Sequence, residues 1–159
     1  MIDVRFPTAL QIMLSLALAE QQSVPHLSSS QLAESLGANP SFVRKLLVPL
    51  VHSKLLRSQM GKAGGVHLAR PAAEITLRDF YRAVVAHTKI WAPRTGIPHR
   101  CLVSSNVQDY FEELIDDAQE AILSILGQRT LLEALTELEI RERAKKTTSK
   151  VRSSGQNKR

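Results

Sequence analysis

SSSQLAESLGANPSFVRKLLVPLVHSKLLRSQMGKAGGVHLAR, residues 28 to 70, carries the order of caps, breaks and apolar steps on which the fold turns. A hydroxyl at Ser28, Ser29 or Ser30 can cap a helix start, which makes Gln31 to Leu36 its first turns. Leu32, Ala33 and Leu36 then share one apolar face. Gly37 can take the left-handed conformation that ends a helix, and Asn39-Pro40 restarts the chain with a cap and a proline preset for the first helical position. Two helices about so tight a turn form a helix-turn-helix. In the second, Phe42, Val43, Leu46, Leu47 and Leu50 step inward, leaving Asn39, Ser41, Arg44 and Lys45 on the outward, N-terminal part. In a helix-turn-helix, that part meets base edges and phosphates. Pro49 should kink the helix or end it early.

After Ser53 the period changes. Leu55 to Met60 and Val66 to Arg70 read as two short strands around Gly61-Lys62-Ala63-Gly64-Gly65. A hairpin after a recognition helix is a wing. Its glycines let the backbone come close to DNA, and Lys62 offers charge to a phosphate or a minor groove. An ordinary turn would use the same glycines; the preceding helix-turn-helix decides for the wing. The candidate DNA-binding residues are therefore Asn39, Ser41, Phe42, Arg44 and Lys45 at the start of the helix, with Lys62 and Gly64 at the wing tip.

The formal charge of +6 over 159 residues conceals a strong division. Arg141 to Arg159 holds eight basic residues against Glu142 alone, whereas Ser104 to Ile140 holds nine acidic residues against Arg129. Ser28 to Arg70 has six basic residues against Glu34. A basic module beside an acidic one suggests that only the first faces nucleic acid.

The flanking segments are helical. Thr8 to Gln21 places Ala9, Ile12, Met13, Leu16 and Ala17 at helical spacing, a first helix that packs under the winged part. It is too short in apolar residues to cross a bilayer and lacks the marks of a signal peptide, so the expected location is the cytoplasm and no membrane partner is expected. Ala72 to Ala86 reads as another helix, with Thr76 as a cap and Asp79 and Arg82 on a solvated side. From 87 to 105 the periodicity stops at a loop punctuated by Pro93, Gly96 and Pro98. Asn106 to Leu126 is the longest helix. Val107, Tyr110, Phe111, Leu114, Ala118, Ala121, Ile122 and Ile125 form a stripe wide enough to need a partner, most economically the same helix of a second copy. Leu131 to Ile140 is a shorter helix, and the basic tail looks disordered.

The expected fold is mainly α with a small β-hairpin. A winged helix-turn-helix domain occupies 1–86, followed by a sensor loop at 87–105, dimerisation helices at 106–140 and a disordered basic tail at 141–159.

Three stretches carry a closer likeness: LAESLGANPSFVRKLLVPL, KAGGVHLARPAAEITLRDFYRAV and CLVSSNVQ. Together they resemble the Rrf-two family of bacterial winged-helix transcription regulators, relatives of the iron–sulfur cluster regulator and the nitric-oxide-sensing repressor. The likeness runs over roughly residues 1 to 135. It implies a homodimer on double-stranded, palindromic operators, usually a repressor, with a sensor loop ahead of the dimer helix. The wing tip departs from the family's RGPGGGY, since Gly61 stands where the minor-groove arginine is common and Lys62 is the nearest charge. Cluster-binding members carry three cysteines in the loop, and this chain has only Cys101.

Cys101 follows His99 and Arg100 and lies between redox sensing and burial as a small apolar residue. Nearby positive charge would favour its thiolate. The family places a lone cysteine here as a sensor. One cysteine excludes a disulfide framework within the chain and is too few for an iron–sulfur cluster, so no cofactor is expected. His67, His87 and His99 show no ligand spacing with Cys101, and no metal site is expected. Cys101 with His99 is the only nucleophile-and-base pairing, and no acid is placed to orient the histidine, so the chain does not read as an enzyme. The competing functional classes are a winged helix used for protein interaction and a regulator that answers a small ligand or a metal.

Overall fold

The computed structural model describes residues 3–61, 64–85 and 90–155, the last eight of these as backbone only. It is mainly helical with one two-stranded hairpin, as expected. Helix α1 (Arg5–Gln21) starts a turn earlier than its periodicity suggested, with Pro7 in the first turn, where a missing N–H costs nothing. It is the spine of the core. Ala9, Ile12, Met13, Leu16, Ala17 and Ala19 are buried, and the helix packs against the next two helices, the second strand of the hairpin and the helix at 77–85. Phe6 at its start stacks on Phe80, with ring centroids 5.7 Å apart, and meets Tyr81 edge-on at 5.1 Å.

Helix α2 (Ser29–Leu36) is held by a reciprocal cap. Gln31 N–H donates to Ser28 Oγ at 3.2 Å, and Ser28 N–H donates back to Gln31 Oε1 at 2.8 Å. Gly37 closes it at φ 59°, where a side chain would be strained. Helix α3 (Pro40–His52) follows at once. Pro49 neither ends it nor stands far from its end: the helix runs through to His52, and only one turn lies beyond the proline, so little of the hydrogen-bond ladder is lost.

Strands β1 (Leu56–Gln59) and β2 (Gly65–Leu68) pair antiparallel with Leu56 opposite Leu68. On the other side of β2, Leu27 and Val66 form a single bridge, so the linker before α2 adds a third, one-residue strand. The expected helix 72–86 divides into a 3-10 turn (Ala72–Glu74) and helix α4 (Leu77–Val85), because Ile75 is extended and the Thr76 hydroxyl accepts from Asp79 N–H to cap the second piece.

Arg82 is exposed as expected, and Asp79 is only partly so, because it is engaged by its neighbours. It is half-buried, its carboxylate accepts from Thr76 N–H at 2.9 Å, and it pairs with Arg70 at 3.3 Å. The ARPAAEITLRDFYRAV run is therefore a structural clasp that joins the exit of the wing to α4. The clasp also holds the end of the chain, since Leu77 N–H donates to Arg129 O at 2.9 Å and Leu131 N–H to Ile75 O at 2.8 Å.

Helix α5 (Leu102–Gly127) begins four residues before the expected Asn106, and helix α6 (Leu131–Gly155) extends far past Ile140. The basic segment expected to be disordered is helical through Gly155; residues 156–159 lie outside the described residues. Glutamates placed four residues ahead of cations account for the first part of this extension. Arg141 bonds Glu137 at 2.8 Å and Lys146 bonds Glu142 at 3.2 Å, the favourable orientation on a helix.

Candidate nucleic-acid interface and thiol loop

The α2–α3 turn sets the direction of the recognition helix, and the cap of α3 decides which side chains are left to read DNA. Asn39 is exposed, and its Oδ1 accepts from Ser41 N–H at 2.8 Å, so part of its hydrogen-bonding capacity is spent on the cap. Ser41, Arg44 and Lys45 are exposed, and Val43, Leu46, Leu47 and Leu50 are buried. Phe42 is half-buried and packs against the core; it steadies the start of the helix and does not belong to the outward stripe. The sequence reading missed Val48, which is 59% exposed and continues that stripe one turn on from Arg44 and Lys45. Its spacing from them was the available signal. An apolar side chain there suits a thymine methyl group.

On the wing, Gly61 takes φ 116° and accepts from Gly64 N–H at 3.0 Å. A Cβ on Gly64 would collide with the carbonyl oxygen of Gln59, so the turn closes only with glycine there. Gly64 shapes the tip and is half-buried. Lys62, expected to carry the wing's charge, lies outside the described residues. Arg57 on β1 is exposed and adds a cation that the sequence reading left out.

Cys101 stands apart from this surface. It is exposed, which removes the reading of a buried packing residue, and it is the N-cap of α5. Ser104 N–H donates to Sγ at 3.5 Å, Sγ and Ser104 Oγ are 3.4 Å apart, and Cys101 N–H donates to Ser104 Oγ at 3.0 Å. These bonds, chiefly from the Ser104 side chain and then from the Ser104 and Val103 backbone, hold the thiol below its ordinary value. The cause is hydrogen bonding at a helix N-terminus, not the neighbouring positive charge that the sequence suggested.

Beside Cys101 a cleft of about 530 Å³ opens between loop residues Ala92, Pro93 and Ile97 and the α5 side chains Val103, Val107 and Phe111. Val103, Tyr110, Leu114 and Ile125 are exposed along α5, and Ile115 is its only fully buried side chain among the described residues. One thiol per chain does not fit the mainly thiolate, four-ligand set of an iron–sulfur cluster. His87 lies outside the described residues. Among the described residues, no helix is long and apolar enough to cross a membrane.

A winged helix-turn-helix followed by a long helix with an apolar outer stripe is the build of a bacterial DNA-binding regulator. The chain belongs to the Rrf2 (Rrf-two) family, described as iron-dependent transcriptional regulators, whose pattern matches residues 2–137. It is 27% identical over 138 residues to YwnA of Bacillus subtilis, named as an HTH-type transcriptional regulator, which covers 87% of this chain and 99% of that protein. A transcriptional regulator from Lactobacillus plantarum has the same fold, with a TM-score of 0.73 at 22% identity over 87% of this chain and 91% of that one. The oxidized form of CymR from Staphylococcus aureus aligns with a TM-score of 0.61 at 24% identity over 85% and 95% of the two chains. The protein is thus a DNA-binding transcriptional regulator.

Proposed function

We propose that the protein is a homodimeric repressor that binds twofold operators in the cytoplasm and loses affinity when Cys101 is oxidised. The observation that carries the operator reading is the outward stripe of α3. Ser41, Arg44, Lys45 and Val48 are exposed on one rigid helix beside a glycine-closed wing. Major-groove readers are built in this way, and two copies related by a twofold would read half-sites about 34 Å apart or a simple multiple of that. The α5 stripe supports the twofold, because exposed Val103, Tyr110, Leu114 and Ile125 are apolar groups on an otherwise acidic helix.

The redox reading is supported by an exposed thiol whose deprotonated form is favoured by Ser104. Transfer of a peroxide oxygen to Sγ would give a sulfenic acid and water, changing the acceptor that caps α5. A CymR structure described as oxidized shares the fold. The regulator would work without an iron–sulfur cluster. A second reading is favoured by the cleft beside Cys101, whose apolar walls would suit a small ligand as the signal.

Selection of genomic fragments by the purified protein, followed by fluorescence anisotropy on the recovered site and on a scrambled duplex, tests the reading. A twofold site, bound by a dimer and released by mild oxidant, is expected. Equal affinity for both duplexes would leave the fold as a protein-interaction module.

A further inference from the structure

Helix α6 leaves the core after Leu135, its last buried side chain among the described residues, and from Arg141 to Thr147 every side chain is exposed. The family pattern ends at residue 137, so the projecting half of the helix lies beyond it. The backbone stays helical to Gly155, about 30 Å past Leu135. Arg141 to Gly155 holds six Lys and Arg against Glu142 alone. On a helix these cations form two stripes. Arg141, Lys145 and Arg152 fall within about 40° of one another around the axis, Arg143, Lys146 and Lys150 within about 60°, and the two groups are centred roughly 150° apart. Of the two arcs between the stripes, one carries Glu142, Ser149 and Ser153. The other carries Ala144, Thr147, Thr148 and Val151, and no charge. Thr147 Oγ1 donates to Arg143 O at 3.0 Å, so what it has left for a partner is chiefly a methyl group.

We propose that residues 141–155 are a second DNA-contacting element, a helix that seats in the major groove of duplex beyond the operator, with one cationic stripe on each phosphate backbone. A groove about 12 Å wide admits one α-helix, whose side chains reach about 10–12 Å across. Its walls are two rows of phosphates, the arrangement that two opposed stripes match. The uncharged arc then faces the floor, where Ala and Thr methyl groups suit thymine methyls. The competing polyanion is helix α5 of a second copy, which has six Asp and Glu and no Lys or Arg between Leu102 and Gly127. A single rod of that kind would engage one stripe and leave the other in water. A membrane surface would require an apolar face, which this segment lacks. Contacts to phosphates add affinity and length of footprint, and operator choice stays with α3. The inference rests on the protein's binding DNA and not on the operator, repressor or redox readings.

Binding is measured on random-sequence duplex, so failure of the operator reading leaves the test intact. Full-length protein is compared with two triple variants, one carrying Arg141→Gln, Lys145→Gln and Arg152→Gln, the other Arg143→Gln, Lys146→Gln and Lys150→Gln. Glutamine has a helix propensity close to that of Lys and Arg, and each variant gives up one of the two ion pairs on α6, so any cost to the helix is matched. Each should lower the slope of log affinity against log salt by roughly 2–3 per chain, about 0.9 for each phosphate released. Hydrogen exchange of the amides of 141–155 should slow when duplex is added. Thr147→Pro, which keeps every cation but breaks the helix, should abolish that slowing and weaken binding. A loss of slope confined to one stripe would overturn the groove seat, as would a Thr147→Pro variant that binds as the wild type does. An unchanged slope in both triple variants would remove the helix from DNA, and weaker dimers in sedimentation would then place it on the acidic α5 of a second copy.

Discussion

Replacing Tyr110 and Leu114 together by alanine should dissociate the proposed homodimer while leaving each chain folded. Tyr110 is 67% exposed and Leu114 45% exposed in the single chain, so most of what they can bury is available to a partner. Full burial of a large apolar side chain contributes about 1.5–3 kcal/mol; scaled to the remaining exposure, this is roughly 1 kcal/mol for Leu114 and somewhat more for Tyr110. A twofold interface counts each residue twice, giving about 4–5 kcal/mol per dimer. At about 1.4 kcal/mol per decade, dimer affinity should fall on the order of a thousand-fold. Alanine is the best helix former, so α5 itself should not suffer. Sedimentation velocity across a micromolar dilution series measures the effect, and far-UV circular dichroism checks the fold. An unchanged dissociation constant with an unchanged spectrum would show that this stripe does not join the subunits.

Arg44→Ala and Lys45→Ala should each reduce the preference for operator over scrambled duplex, by about 1–3 kcal/mol where the side chain reads a base, and by more than Lys62→Ala does; anisotropy at fixed salt compares them, and equal losses on both duplexes would mean that none reads sequence. Deleting residues 145 to 159, which hold six Lys and Arg, should flatten the salt dependence of affinity by about 0.9 in log–log slope for each phosphate that the tail had neutralised, with specificity nearly intact; an unchanged slope would place the basic end of α6 off the DNA. Ser104→Ala removes the largest cause of the lowered Cys101 value, so the thiol should move up and its alkylation by iodoacetamide near neutral pH should slow, with the rate rising again as pH is raised. Cys101→Ser should bind operator as the wild type does and ignore mild oxidant; a variant that still responds would shift attention to the cleft beside it.

The helix-turn-helix was legible because its determinants are local. A serine cap, Gly37 and Asn39-Pro40 each act within a turn of chain; the last two appear in the structure as read, and of the three candidate serines the structure picks Ser28 and adds the return bond to Gln31. What escaped the sequence depends on partners or on rarer chemistry. A thiol is an uncommon cap, so the start of α5 at Leu102 was placed too late. Composition suggested a disordered tail, whereas the Glu137–Arg141 and Glu142–Lys146 pairs set the helix going past Ile140. Val48 was passed over because apolar residues on α3 were assigned inward, although its position follows the outward step from Arg44 and Lys45.

The clasp between α4 and the start of α6 has a mechanical consequence. Leu77 and Leu131 fasten the chain immediately before α4 to the chain immediately after α5, and Gly127 lies directly against the Arg78 guanidinium. Helix α5 is thus pinned at its C-terminal end, while Cys101 marks the other end, 26 residues and about 39 Å away. A rod hinged at one end amplifies angle into distance: a tilt of about 5° carries the thiol end through roughly 3 Å. Run in reverse, a displacement of one atomic diameter at Cys101 turns the pinned end by the same few degrees. In the homodimer proposed above, with the two α5 helices packed together as an axle, the part left to swing would be the winged domain.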